Sequence, residues 1–160
     1  MTAAESGRMA ARATRPARDA RPTPPYRQWR LLGLVAAGGM VGTALREALA
    51  MVVPSPDVFP LATFAANLLG AFTLGLLLER LTHSGPDVGA RRGIRLLVGT
   101  GVLGGFTTYS GLATATAVLV ADGSWAWAVA YSVGTVLAGA AMSVAGIALG
   151  HLGRRPEDPS

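Results

Sequence analysis

The 160-residue chain has no cysteine and no lysine, and only 14% of its residues are charged. Without cysteine, disulfides and thiol chemistry are excluded. With two histidines, His83 and His151, and no cysteine beside them, a transition-metal site is not expected. No spacing of nucleophile, base and acid is present, so an enzyme is not expected either. The chain is also short of polar surface. Hydrophobic residues make up 51% of it, and a soluble protein of this size needs a polar skin around its core. The few charges sit at the N-terminus, in one connection and at the C-terminus, with long apolar stretches between them. All fourteen basic side chains are arginine. A basic balance can point to nucleic acid, but no soluble domain remains to carry such a role.

Residues 1–30 are rich in Ala, Arg and Pro and hold few apolar anchors. They are expected to form a disordered cytoplasmic arm, and they lack the apolar core of a signal peptide. Four apolar spans follow, at about residues 31–53, 59–78, 96–120 and 125–149, inside a membrane domain expected over 31–152. Residues 153–160 would be a short cytoplasmic tail. Each span is near the roughly 20 residues that a helix needs to cross a bilayer, and continuous apolar runs select helices over a barrel. The connections are PSPD (Pro54 to Asp57), a polar loop from Thr82 to Arg92, and a tight turn, ADGS (Ala121 to Ser124). Trp29, Trp125 and Trp127 sit where interfacial aromatic anchors belong.

Arginine placement predicts the topology. With the N-terminus inside, every arginine except Arg46 falls on the inner side, so both termini are expected in the cytoplasm. Glycine is dense within the spans, as at Gly38, Gly39, Gly42, Gly101, Gly104 and Gly105. In lipid, small residues mark close helix contacts.

A few polar residues in the spans need a reason. Asn67 lies near the middle of the second span, with Thr63 one turn before it. An amide at that depth is costly without partners, and it either ties helices together or lines a polar path. The third span contains GGFTTYSG, Gly104 to Gly111. Paired glycines and three hydroxyl residues disfavour an unbroken helix. Local unwinding would free carbonyl oxygens, a recurrent way to hold Na⁺ at membrane depth. Tyr131 and Thr135, one turn apart in the fourth span, extend a set of neutral donors with Asn67 and Thr108. No Asp, Glu or Lys lies near the middle of any span, whereas a proton-coupled carrier usually has a central carboxylate. A neutral ladder suits passive anion passage.

These motifs resemble the fluoride channel family known as Fluc or CrcB. GGMVGTALRE (Gly38 to Glu47) is similar to the family's GGxxGAxxR, and ATFAANLLGAFTLG (Ala62 to Gly75) to GTxxxNxxGxFxxG. GVLGGFTTYS (Gly101 to Ser110) is similar to GxxGGxTTFS, and Tyr131 to Thr135 match YxxxS. The four matches follow in order over roughly residues 33–150.

The resemblance implies an all-α integral membrane fold of four helices, the third broken, in an antiparallel dimer with two narrow pores. It implies a fluoride path lined by Asn67, Thr63, Thr108, Tyr109, Ser110, Tyr131 and Thr135. It implies a structural Na⁺ held by backbone carbonyls of Gly104 and Thr107, and it matches Arg46 to the family's arginine. The family's TTFSTF reads TTYSGL here, so Leu112 stands where a second aromatic edge is expected. The expected function is passive export of fluoride from the cell across the plasma membrane. The alternatives are a non-conducting or half-pore partner in a heterodimer with a related, oppositely oriented chain, and a small multidrug-type carrier. The carrier would want a carboxylate deep in the first span, and Glu47 lies near its end.

Overall fold

A computed structural model describes residues 28–54 and 59–152. The expected arm up to residue 27, most of the PSPD connection and the expected tail lie outside the described residues. Within them every regular element is a helix, and four stretches are long and apolar enough to cross a membrane.

Helix α1 (Trp29–Val52) and helix α2 (Leu61–His83) are continuous. The third span is composite. It begins with α3 (Ala90–Ile94), passes into a π-helical segment (Arg95–Val102), and resumes as α4 (Leu103–Phe106). After a break it continues as α5 (Tyr109–Ala121). Helix α6 (Trp125–Leu152) closes the bundle. At about 1.5 Å per residue, α1 with 24 residues and α2 with 23 exceed the roughly 30 Å of hydrocarbon. The helices overrun the apolar pattern mainly at the arginine-rich end. Glu79, Arg80 and His83 still belong to α2, because charged residues end hydropathy without ending a helix.

The turn between α5 and α6 is fixed by its glycine. Gly123 has φ 75, its amide donates to Val120 O at 3.0 Å, and the Ser124 amide donates to Leu119 O at 2.8 Å. This bond pair is a Schellman cap, which favours glycine at the left-handed position. The connection between α2 and α3 is held differently. Arg95 grips Asp87 with Nη2–Oδ2 at 2.6 Å and Nε to both oxygens at 3.1 Å. The guanidinium hydrogen bond holds the Asp87 carboxyl below its usual range.

Packing follows the small residues. A Cβ on Gly38 would strike Leu97 O, and one on Gly105 would strike Gly39 O. The GGMVG run of α1 thus lies directly against the third span. Helices α2 and α6 pair in the same way, Gly75 against the Ser143 carbonyl and Gly146 against the Phe72 carbonyl. Such contacts replace hydrophobic burial as the source of helix association in lipid. The buried cluster is correspondingly small: Leu112, Leu119, Ala128 and Tyr131, flanked by Phe59, Phe64, Ala115 and Val120. Large apolar side chains face outward instead, among them Met51 and Val136. Lipid or a second subunit must cover them.

Candidate functional site

The break in the third span is two residues long. Thr107 (φ −81, ψ 154) and Thr108 (φ −147, ψ 121) are extended, while Gly104 and Gly105 remain helical. Upstream, the π-helical turn is visible in the bond from the Leu103 amide to Val98 O, five residues back. Such insertions loosen a helix just where it is about to stop.

Asn67 holds the break open. Its Oδ1 accepts from the Thr108 amide at 2.8 Å, and its Nδ2 donates to Thr108 O at 3.1 Å. One side-chain amide thereby satisfies both backbone groups of an extended residue, which would otherwise be orphaned at membrane depth. In an unbroken helix the Thr108 amide would close onto Gly104 O. It is diverted to Asn67, so the Gly104 carbonyl loses its helical donor. The Gly111 amide would likewise close onto Thr107 O, but it donates to Thr108 Oγ1 at 3.0 Å. Thr108 is therefore the N-cap of α5. The break thus leaves the carbonyls of Gly104 through Thr107 without their helical donors, the expected pair Gly104 and Thr107 among them.

The break also turns two helix ends toward each other. α4 presents carbonyls and α5 presents amides, so a partly negative end faces a partly positive one. Room for the arrangement comes from Gly70, one turn beyond Asn67, where a Cβ would strike Thr107 Cγ2. The sequence carries that signal as the spacing Asn67-x-x-Gly70, part of the second-span motif, though not the contact it serves.

Two clefts flank the clamp. One, of about 370 Å³, is lined by Asn67, Gly104, Thr107, Thr108, Tyr109 and Thr135, with Leu112 at its wall. The other, of about 460 Å³, is lined by Arg46, Thr63, Thr108 and Ser110. Thr108 belongs to both. Thr108 Oγ1 and Ser110 Oγ lie 3.1 Å apart. Arg46 pairs with Glu47 at 3.3 Å, and both line the second cleft.

The remaining expected site residues differ in their surroundings. Tyr109 is 83% exposed on the protomer surface. Tyr131 is buried in the apolar cluster, its ring edge-on to Phe59 with centroids 5.4 Å apart, and its hydroxyl has no partner. Tyr131 is not among the residues lining either cleft. Thr135 lines the first, but its hydroxyl donates to Tyr131 O at 2.6 Å. Thr107 Oγ1 similarly donates to Leu103 O at 2.9 Å. These hydroxyls satisfy themselves on their own helices. The second N–H of Asn67 and the Thr108–Ser110 hydroxyl pair are among the donors the clefts retain, and Thr63 and Arg46 add a hydroxyl and a guanidinium to the second. Leu112 is buried, packed in the cluster with Tyr131.

The sequence profile of the family described as "CrcB-like protein, Camphor Resistance (CrcB)" matches residues 33–147. The chain is 50% identical over 114 residues to "Fluoride-specific ion channel FluC 1" of Cutibacterium acnes, covering 71% of this chain and 80% of that one. It is 46% identical over 127 residues to "Fluoride-specific ion channel FluC 2" of Leifsonia xyli, covering 79% and 88%. It is 42% identical over 120 residues to "Fluoride-specific ion channel FluC" of Novosphingobium aromaticivorans, covering 72% and 89%.

Proposed function

The chain belongs to the CrcB-like family, and from that premise we propose that it is one subunit of a fluoride-selective channel, through which fluoride leaves the cytoplasm passively. The observation that carries this reading is the amide clamp of Asn67 on Thr108, which opens a neutral polar gap in the third span. A helix N-terminus, an amide N–H and hydroxyls attract a small anion without the full charge that would trap it. No Asp, Glu, Lys or Arg lines the first cleft, which fits passage without proton coupling.

The released carbonyls of Gly104 and Thr107 suit a structural Na⁺, a hard cation that takes oxygen ligands. Both come from the chain turn at the C-terminal end of α4, where the helix dipole favours a cation. When bound, the ion would supply fixed positive charge beside the anion path.

The functional unit we propose is an antiparallel dimer. Exposed Tyr109 and the outward apolar faces of α5 and α6 support a second subunit completing the clefts. We place both termini in the cytoplasm, because Arg30, Arg80, Arg91, Arg92 and Arg95 sit at the ends of helices that finish on one side. That bias also favours a second reading, pairing with a related chain of opposite orientation. Leu112 supports it, since a buried aliphatic side chain gives no aromatic edge to a pore. Single cysteines introduced at Ser84 and at Ser124 should label from opposite sides of the membrane in intact cells. Equal labelling of each from both sides would show dual insertion and remove the reason for a second chain.

The function is tested by fluoride efflux from liposomes containing the purified chain alone, read by electrode, with chloride as control. Fluoride flux without chloride flux is expected of a self-sufficient dimer. Equal flux of both ions would defeat fluoride selectivity. Silence from this chain, with flux restored by its co-expressed relative, would establish the heterodimer.

A further inference from the structure

Where α2 and α6 finish, three side chains from the two helices converge. Glu79 Oε1 lies 2.5 Å from His83 Nε2 and 2.9 Å from His151 Nδ1. One ligand atom from each residue lies within 4.8 Å of the others. His83 stands one turn after Glu79 on the same face of α2, and His151 arrives from the last turn of α6. The Glu79 side chain is only 13% exposed, while the two imidazoles are 42% and 46% exposed. The carboxylate thus forms the floor of a small cup whose histidine walls are open to water. Gly150 leaves space for that floor, since a Cβ there would lie 2.7 Å from Glu79 Cγ. The imidazole rings do not stack: their centroids are 5.6 Å apart with planes tilted by 52°.

We propose that Glu79, His83 and His151 form a site for a divalent transition metal, with Zn²⁺ the best match. Two imidazole nitrogens and one carboxylate oxygen are a donor set Zn²⁺ accepts, leaving one position for water. Calcium and magnesium prefer all-oxygen surroundings, and monovalent copper prefers sulfur. Both histidines lie in the last turns of their helices, where two macrodipoles present their negative ends to a cation. The ion would join the ends of the helices that carry Asn67 and Thr135, so it would brace the clefts from a distance. In the sequence, Glu79, His83 and Asp87 stand four apart, and that spacing alone does not single out a metal site. The third ligand comes from another helix.

The test uses the full chain in detergent, purified without a histidine tag and stripped with chelator. Co²⁺ is added as the spectroscopic probe and Zn²⁺ as its competitor. The expected result is a saturable visible Co²⁺ spectrum at one ion per chain, abolished by Zn²⁺, with a higher unfolding temperature in the presence of Zn²⁺. His83→Gln and His151→Gln should each weaken binding at least about tenfold, and Glu47→Gln at the far end should leave it unchanged. No saturable spectrum from the unmodified chain overturns the proposal, whatever the variants do. So does a spectrum that both histidine substitutions leave intact. The measurement involves no fluoride, so its failure and the failure of the channel reading are separate events.

Discussion

Asn67→Asp should leave the subunit folded and lower fluoride efflux from proteoliposomes by at least about a hundredfold. The substitution is nearly isosteric. Its carboxylate still accepts from the Thr108 amide, so half of the clamp survives. It loses both N–H donors, the one on Thr108 O and the one left for the cleft. It also places a negative charge on the path of an anion. Two like charges about 4 Å apart repel by about 4 kcal/mol at an effective dielectric of 20, which is nearly a thousandfold. The smaller figure allows for partial neutralisation of the carboxyl. Asn67→Ala should fail differently. It strands the Thr108 amide and carbonyl together, at about 1–3 kcal/mol each. Its main signature should be a lower unfolding temperature in detergent. Asn67→Asp protein that folds and conducts at the unmodified rate would remove Asn67 from the path and leave it a structural clamp alone.

The parts of this arrangement that could be read from sequence were those set by length, charge and local chemistry. Four apolar runs gave four helices, because no other structure satisfies an isolated backbone in lipid. The break was readable from GGFTTYSG, but its extent was not. Glycine and hydroxyl residues lower helix stability over the whole run, while only Thr107 and Thr108 leave the helix. What selects them is Asn67, 41 positions away along the chain, and such pairing has no local signal. Gly105 illustrates the same limit: it is helical and serves close approach to Gly39 on α1. The π-helical turn over Arg95–Val102 was hidden because a bond to the fifth residue back leaves composition unchanged. Tyr131 and Thr135 share a face, as their spacing requires. Spacing could not say that the Tyr131 ring would settle against Phe59, in the apolar cluster.

Gly42→Ala should cost the subunit about 3 kcal/mol or more, because the added methyl has nowhere to go. It would strike the Val102 carbonyl oxygen and come within 2.8 Å of the Phe106 amide. Both are backbone atoms, so no rotamer change relieves the contact, and α1 must move away from the third span. Gly33→Ala is the matched control on the same helix, with nothing within 4 Å of its Cβ. It should be neutral or stabilising by up to about 1 kcal/mol. Thermal unfolding in detergent, followed by gel filtration, compares the two directly. Equal unfolding temperatures would mean that α1 and the third span do not meet at Gly42. The consequence should extend beyond stability. Val102 and Phe106 bracket α4, and α4 ends at the Thr107–Thr108 break. A displaced α1 therefore removes the support behind the carbonyls of Gly104 and Thr107. Whatever Gly42→Ala protein folds should carry less fluoride than Gly33→Ala protein at the same density in liposomes, which would tie the glycine packing of α1 to the path it supports.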